Sequence, residues 1–381
     1  MKQISKIIIA GDLFPDVSNV SDFSKGDIEN LFGKQICQLF ADSDINICNL
    51  EGALTDHLDR CIKTGPVKVA PTEAIKAYKH LGISCCMLAN NHATDGGHQG
   101  MFDTMDILNK EGIDYIGAGK DDSSITNSII YSIGGLNIGV YNVCETMYNK
   151  PTATTAGAWL YDEYVVCKDL ESLKKECDYL IVIYHGGIEK FPYPSPEIRK
   201  RFHRMADNGA DMIISQHTHC IGCEEHYNGS YLLYGQGDFL LKNYAPGFTD
   251  TGLILELKIE NKKVNIKKHK VGSFENRYVR YSDVQDLKEF YERSEKINDE
   301  NYVLEQFHQF CQAELHLYLK AFKSHGRMRY WMKRFFPKRY KKWLHNEAFK
   351  RRDLMFALHT LRSEQNREIA IAGIEDLLKM N

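Results

Sequence analysis

A short apolar run at residues 212–214 is followed, after two polar residues, by His217 and His219, which a single residue separates. In an extended segment that leaves a strand, side chains at positions i and i+2 point to the same side. Two imidazoles placed in this way can bind one metal ion or two adjacent ions. Surface or capping histidines would show the same spacing, so the pair alone leaves both interpretations open.

The same pattern recurs at four other points of the chain. Short apolar runs, typical of strands buried on both faces, end directly in a potential metal ligand. These ligands are Asp12, Glu51, Asn91 with its neighbours Asn90 and His92, and His185. Because sites in α/β sheets lie outside the carboxyl ends of the strands, we expect these side chains to meet at one edge. The sequence therefore predicts a metal centre.

Three other side chains near these strand ends bear on the chemistry. His92 could be a metal ligand or a general acid, and Asp95 is close enough in sequence to orient its ring. Asp238 is another carboxylate at a strand end. Glu189 could support a ligand, although a solvent-exposed carboxylate would also fit its position.

A C-x-x-C motif, Cys220 and Cys223, follows His219. Structural zinc sites normally need two such pairs, and the chain has one at this spacing. Buried thiols are therefore the favoured interpretation of this motif.

The elements that must position the ligands can also be read from the sequence. Amphipathic patterns and capping signals predict helices at residues 27–41, 72–81, 98–110 and 169–175. Residues 129–133 with 136–141, and 252–259 with 264–271, predict β-hairpins. Alternating strands and helices indicate an α/β fold.

The composition, 43% hydrophobic and 26% charged over 381 residues, is that of an ordinary globular protein with a proper core. The apolar run at residues 7–10 is too short for a signal peptide, and no stretch reaches the ~20 apolar residues of a membrane span. Many of the eleven cysteines lie in apolar runs, as reduced thiols do. We therefore expect a cytoplasmic protein.

The C-terminal part differs, because from about residue 282 the pattern is helical. Residues 320–352 hold 13 basic residues, one acidic residue and interleaved aromatics. The segment could be the solvated face of a helical bundle, or it could bind an anionic membrane surface and place the protein peripherally on the inner membrane face. A polyanionic capsule chain is a third partner to consider. No nucleic acid is expected, since no RNA-binding motif accompanies the segment.

Taken together, the motifs resemble the capsule-synthesis protein CapA family, which is associated with poly-γ-glutamate and capsule assembly and is similar to calcineurin-like metallophosphoesterases. The matching residues are Gly11-Asp12, Asn49-Leu50-Glu51, Asn90-Asn91-His92 with Asp95, His185 with Gly187 and Glu189, His217-x-His219, Glu225, and Gly237-x-Phe239. The resemblance covers roughly residues 5–275. It implies a four-layer α/β/β/α metallophosphoesterase-like sandwich over residues 1–280, followed by a helical extension over residues 281–381.

The resemblance also implies a ligand set for one or two divalent ions, with Mn, Zn and Fe all compatible. One ion would be held by Asp12, Glu51 and His219. The other would be held by Glu51, Asn91, His185 and His217. Glu189, Glu225 and Asp238 would lie behind these ligands or near the substrate. The phosphoesterase pattern has a histidine where this chain has Phe14, so a centre with one ion is also open.

The function implied is that of a metal-dependent, phosphoesterase-like hydrolase in capsule, surface polysaccharide or polyglutamate biosynthesis. His92 would protonate the leaving group and Asp95 would orient it. The substrate would be a capsule or polysaccharide intermediate, either a phosphorylated precursor or a γ-glutamyl polymer. The alternative is a non-catalytic metal-binding scaffold of a capsule assembly machine, which Phe14 supports.

Overall fold

The computed structural model describes residues 4–57, 59–61, 63, 65–147, 149–241, 251–274, 277–282, 287–319, 334–336, 338–339 and 350–380. The chain forms two compact units, residues 1–61 with 67–304 and residues 62–66 with 305–381. Among the described residues, no helix combines the length and apolarity needed to cross a membrane.

The strands are, in chain order, β1 Ser5–Leu13, β2 Ile45–Leu50, β3 Ala53–Leu54, β4 Val69–Ala70, β5 Cys85–Met87, β6 Asp114–Ile116, β7 Ala118–Gly119, β8 Ser128–Ile133, β9 Leu136–Cys144, β10 Gly157–Ala158, β11 Tyr179–His185, β12 Met212–Gln216, β13 Ile221–Tyr227, β14 Ser230–Gln236, β15 Asp238–Leu240, β16 Thr251–Glu260, β17 Lys263–Phe274 and β18 Tyr278–Tyr281.

The described helices are α1 Val20–Lys25, α2 Ile28–Ala41, α3 Ile75–His80, α4 Gly97–Glu111, α5 Glu163–Lys174, α6 Pro196–Asp207, α7 Lys288–Lys296, α8 Glu300–Leu319, α9 Arg351–Arg362 and α10 Glu364–Met380.

Two large sheets form the first unit. One has the strand order β18-β17-β16-β1-β2-β5-β6, with β15 also paired to β1, and the other has the order β13-β14-β12-β11-β9-β8. The strands that carry the predicted ligands, β1, β2 and β5 in one sheet and β11 and β12 in the other, run parallel to one another within their sheet. Their carboxyl ends therefore lie at one edge of each sheet.

The sheets pack face to face, as the alternation along β1 shows. Ile7 and Ile9 join a buried cluster with Ile181 and Ile214 of the second sheet. Ile8, on the opposite face of β1, packs in a cluster with side chains of α2 to α4. On the outer face of the second sheet, Phe202 of α6 packs against Tyr184 and Tyr234. The predicted four-layer α/β/β/α sandwich is confirmed.

Both predicted hairpins are present as β8–β9 and β16–β17. The helix predicted at residues 27–41 is also present, and Asp27 caps it by accepting a hydrogen bond from the Asn30 N–H. Two predicted helix starts were wrong. A 3₁₀ turn, Thr72–Ala74, precedes α3, and the Thr72 hydroxyl binds Asp56 instead of capping a helix. Helix α5 begins at residue 163 because Asp162 caps it.

The described residues of the C-terminal part are mostly helical, as predicted, and the second unit contains α9 and α10. Within this unit, His308 of α8 contacts Asp376 of α10 at 2.7 Å. The basic segment at residues 320–352 lies outside the described residues except for 334–336, 338–339 and 350–352. Its contact with an anionic membrane surface stays a prediction.

Candidate metal centre

Carboxylates and imidazoles from both sheets meet at the carboxyl ends of the strands. Two groups of three side chains each bring one potential ligand atom within 4.8 Å of the others. One group is Glu51, His217 and His219, and the other is Asp12, His219 and Asp238. The structure thus brings together predicted ligands that lie up to about 200 residues apart in sequence.

His217 and His219 reach the centre by a route that differs from the prediction. Strand β12 ends at Gln216, and both histidines have positive φ angles, 85° and 52°. The extended i, i+2 geometry was therefore the wrong reason for their proximity. Left-handed conformations at residues other than glycine are strained by about 1–3 kcal/mol and cluster at functional sites. The His217 N–H donates to Asp12 Oδ2 at 3.2 Å, which fixes this turn against β1.

Glu51 provides the geometric test for a metal ion. Its side chain is fully buried, and Oε1 has no hydrogen-bond partner among the described residues. This oxygen lies 3.7 Å from His185 Nε2 and 3.8 Å from His92 Nε2. Two ligand atoms that are each about 2.1 Å from one ion lie about 3 to 4 Å apart. The separation from His185 is too long for a hydrogen bond but suits two donors around a divalent ion. His217 and His219 also each bring a ligand atom within 4.8 Å of one from Glu51, so the residues present fit such an ion.

Two asparagines support His185 and Asp12. The predicted ligand Asn91 places Oδ1 3.0 Å from His185 Nε2. Asn49, which we had not assigned to the site, donates from Nδ2 to Asp12 Oδ1 at 2.7 Å and lies 3.2 Å from His185 Nδ1. Asn49 is the register partner of Asp12 in the parallel β1–β2 pair. Its place beside Asp12 could therefore be predicted only after the strand register was known.

His92 and Asp95 form the predicted pair. His92 Nδ1 lies 2.6 Å from Asp95 Oδ2, and both side chains are buried. Because a carboxylate can only accept a hydrogen bond, the proton shared with Asp95 is carried by Nδ1. The other ring nitrogen, Nε2, faces Glu51. Asp95 is itself fixed, since its Oδ2 also accepts from the Lys68 backbone N–H at 2.6 Å.

Asp238 lies beside Asp12, because β15 pairs in parallel with β1 and places these two residues in register. Its Oδ1 is 2.8 Å from His219 Nδ1, and its Oδ2 is buried without a hydrogen-bond partner among the described residues. A carboxylate that accepts from one ring nitrogen of a ligating histidine fixes the other nitrogen toward the metal. Asp238 can therefore orient His219 with one oxygen and offer the second oxygen to an ion.

Glu145 is a buried carboxylate of the site that the sequence analysis missed. It is 1% exposed, and its Oε1 lies 3.7 Å from His217 Nε2. We had ended strand β9 at residue 141, whereas it continues to Cys144, directly before Glu145. The strand-end rule would have found this residue with the correct boundary. The predicted Glu189 lies farther out, 45% exposed and 4.0 Å from His217 Nε2.

The remaining predicted residue, Glu225, makes its described contacts elsewhere. It accepts from Arg199 at 2.8 Å and from Tyr234 at 2.8 Å, and it lies 3.1 Å from His203. Burial acts to raise the pKa of Glu225, but the hydrogen bonds from Arg199, Tyr234 and His203 and the charge of Arg199 together outweigh it and lower that pKa. None of these partners is a predicted metal ligand, so Glu225 holds α6 against the sheet.

Cys220 and Cys223 are fully buried. Burial raises the pKa of the Cys220 thiol to about 12 and raises that of Cys223 as well. Both thiols therefore stay protonated in the metal-free protein, which agrees with the favoured interpretation of buried thiols.

Burial and the charged groups of the cluster shift the pKa values of its members. Burial, and then the charges of Glu51 and Asp238, raise the pKa of Asp12 to about 8. Burial acts to lower the pKa of His219, but the Asp238 carboxylate outweighs it and raises that pKa to about 10. Burial, and then the two neighbouring imidazoles, hold the pKa of His185 well below its usual value. Without an ion, the cluster retains protons on Asp12 and His219 and keeps His185 neutral.

Phe14 occupies the position at which the phosphoesterase pattern has a histidine. It is 3% exposed, and a Cβ built on Gly52 would lie 2.4 Å from its ring. Phe14 is thus a core residue packed against the backbone that follows Glu51.

Several known proteins are similar to this chain. "PGA biosynthesis protein CapA" of Bacillus subtilis (strain 168) is 29% identical over 206 residues, which cover 53% of this chain and 52% of that protein. "Capsule biosynthesis protein CapA" of Bacillus anthracis is 28% identical over 188 residues, 48% of this chain and 45% of that protein. The match therefore spans about half the length of these relatives.

A solved structure of a hypothetical protein from Thermus thermophilus aligns with 70% of this chain and 98% of its own chain, at a TM-score of 0.45 and 14% identity. The family model described as "Bacterial capsule synthesis protein PGA_cap" matches residues 6–243, which include every residue of the two ligand groups. This chain belongs to the bacterial capsule synthesis protein family PGA_cap.

Proposed function

We propose that this protein is a metal-dependent hydrolase of the phosphoesterase type that acts in capsule or polyglutamate biosynthesis. The observation that carries the proposal is the buried Glu51 Oε1, which lies 3.7 Å from His185 Nε2 and has no hydrogen-bond partner among the described residues. A buried carboxylate oxygen costs free energy unless a partner compensates it. A divalent ion is the partner that this set of donors fits.

The residues that would hold the ion are the two ligand groups together with His185 and Asn91. When bound, a divalent ion lowers the pKa of water and neutralises charge on anionic oxygens of the substrate. Neutral His185 is in the protonation state that a ligand needs.

His92 would supply the proton of the reaction. The Nδ1 proton is bonded to Asp95, so the ring must bind a second proton, at Nε2, before Nε2 can give that proton to a leaving group beside Glu51. An imidazole oriented by a buried carboxylate is a common general acid near neutral pH. Asp95 positions His92 and does not itself reach the substrate.

Two substrate classes fit the proposal. A phosphorylated precursor suits an ion that clamps anionic oxygens. A γ-glutamyl polymer suits the names of the relatives, which refer to PGA and capsule biosynthesis. In both cases the bond to be hydrolysed would lie between the ion and His92 Nε2.

Metal content tests the proposal most directly. Protein purified without chelator should hold divalent metal, and the His217→Ala variant should lose most of it, because His217 belongs to the ligand group that contains Glu51. The His226→Ala variant is the matched control, since His226 is exposed on β13. Elemental analysis gives the metal per chain. Full metal content in His217→Ala would refute the assignment, and so would wild-type protein that binds none.

A non-catalytic metal-binding scaffold is the second candidate, and Phe14 favours it. The buried phenyl ring cannot bind an ion where the phosphoesterase pattern supplies an imidazole. A screen of phosphomonoesters and phosphodiesters with the metal-loaded protein separates the two. Hydrolysis that His92→Asn abolishes supports the enzyme, whereas metal binding without hydrolysis of any substrate supports the scaffold.

A further inference from the structure

Lys68 places a positive charge against the most buried carboxylate of the centre. Its Nζ lies 2.6 Å from Glu51 Oε2, and the two side chains are 13% and 0% exposed. Neither the predicted ligands nor the resemblance included this lysine. The two oxygens of Glu51 therefore have different neighbours. Oε2 binds the ammonium group, and Oε1 faces the imidazoles.

The backbone of Lys68 is held on both sides. Its carbonyl accepts from the Ala53 N–H at 3.0 Å, at the start of the β3–β4 pair. Its N–H donates to Asp95 Oδ2 at 2.6 Å, the same oxygen that orients His92. These bonds fix the Lys68 backbone beside the site, and the largely buried side chain reaches from there to Glu51.

The two described ligand groups are not independent of each other. His219 belongs to both groups. Its Nδ1 lies 2.8 Å from Asp238 Oδ1, which leaves Nε2 as the one nitrogen that can bind metal. An imidazole nitrogen has a single lone pair and serves one ion at a time. His219 can therefore serve one ion, and Glu51, which the resemblance assigns to both ions, has one of its two oxygens held by Lys68.

We propose that Lys68 takes the place of a second cation and makes this a one-ion centre. The ammonium group occupies one oxygen of Glu51 and repels a further divalent ion through its like charge. It also balances part of the negative charge of Glu51 when Oε1 binds the ion. This inference rests on the proposed metal centre and specifies how many ions that centre holds.

The test is a Mn²⁺ titration of four proteins with stoichiometry and electron paramagnetic resonance as readouts. The wild type should bind one ion per chain and give the spectrum of isolated Mn²⁺. Lys68→Met removes the charge at similar length, so its second ion should bind at least about tenfold more tightly than in the wild type, with the spectrum of a coupled pair. Lys68→Arg keeps the charge and should stay at one ion.

Lys79→Met is the matched control, because Lys79 forms a comparable ion pair with Glu111 at 2.5 Å but is 54% exposed on α3. It should titrate like the wild type. Two coupled ions in the wild type would overturn the role of Lys68 but leave the proposed function standing, whereas no bound ion would overturn both. A folded Lys68→Met that takes up no second ion also contradicts the inference. If Lys68→Met does not fold, the wild type and Lys68→Arg still test the inference. It predicts one ion per chain in each, so a second ion in either protein contradicts it.

Discussion

Metal binding at this centre should release protons and strengthen as the pH rises. Burial and the neighbouring carboxylates raise the pKa of Asp12 to about 8, and the Asp238 carboxylate raises the pKa of His219 to about 10. At pH 7 both groups therefore carry a proton in the metal-free protein. Both must lose it to become ligands, because an ion binds a carboxylate or a neutral imidazole.

The magnitude follows from these values. Each proton that must leave weakens the apparent affinity by about tenfold for every pH unit below the pKa of its group. With one to two protons released, the dissociation constant should fall by about 10- to 100-fold per pH unit between pH 6 and 8. His185 adds nothing to this slope, since its pKa is already well below the usual value and it needs no deprotonation.

Isothermal titration calorimetry in two buffers of different ionisation enthalpy counts the protons, and a competing chelator keeps the affinities measurable. Asp238→Asn should release fewer protons, because His219 loses the carboxylate that holds its charge. His226→Ala should leave the count unchanged. A dissociation constant independent of pH between 6 and 8, with no proton release, would show that Asp12 is ionised and His219 neutral before binding and would refute the reasoning.

Two substitutions test other parts of the site. His92→Asn should keep the metal but slow hydrolysis of substrates with poor leaving groups by about 10²–10⁴-fold, with a smaller effect on activated aryl phosphates; loss of metal would make His92 a ligand. Glu145→Gln should weaken metal affinity by about 10–100-fold, because carboxylates beside ligating histidines orient the ring. Glu189→Gln is its control, since Glu189 is 45% exposed and farther from His217. Equal losses in these two variants would contradict a specific role for Glu145.

The strand ends were predictable because the physics behind them is local. A short apolar run followed by a polar residue marks the carboxyl end of a buried strand, and parallel strands bring these ends together. This reasoning placed Asp12, Glu51 and His185 in one cluster, as the structure has them. It also predicted that His217 and His219 lie in this cluster, as they do, although a left-handed turn and not an extended segment brings them together.

Lys68 and Glu145 show what the sequence could not provide. Lys68 reaches Glu51 because β3 and β4, two residues each, pair after an intervening loop. Strands of that length have no periodicity to detect. Glu145 was missed because we ended strand β9 three residues too early. Partners of the ligands are thus harder to predict than the ligands, because they come from loops and short pairings whose positions depend on the whole fold.

Phe14 and Asp238 illustrate the same point for the ligands themselves. The motif comparison counted one ligand missing at Phe14, but the parallel pairing of β15 with β1 sets the Asp238 carboxylate in register with Asp12. Asp238 then makes up the number of ligands near His219, with its carboxylate in place of the imidazole that Phe14 lacks. Carboxylate-rich sets favour harder ions such as Mn²⁺ over those that prefer imidazole and thiolate. We therefore expect the change at Phe14 to shift the metal preference of the proposed centre without abolishing metal binding.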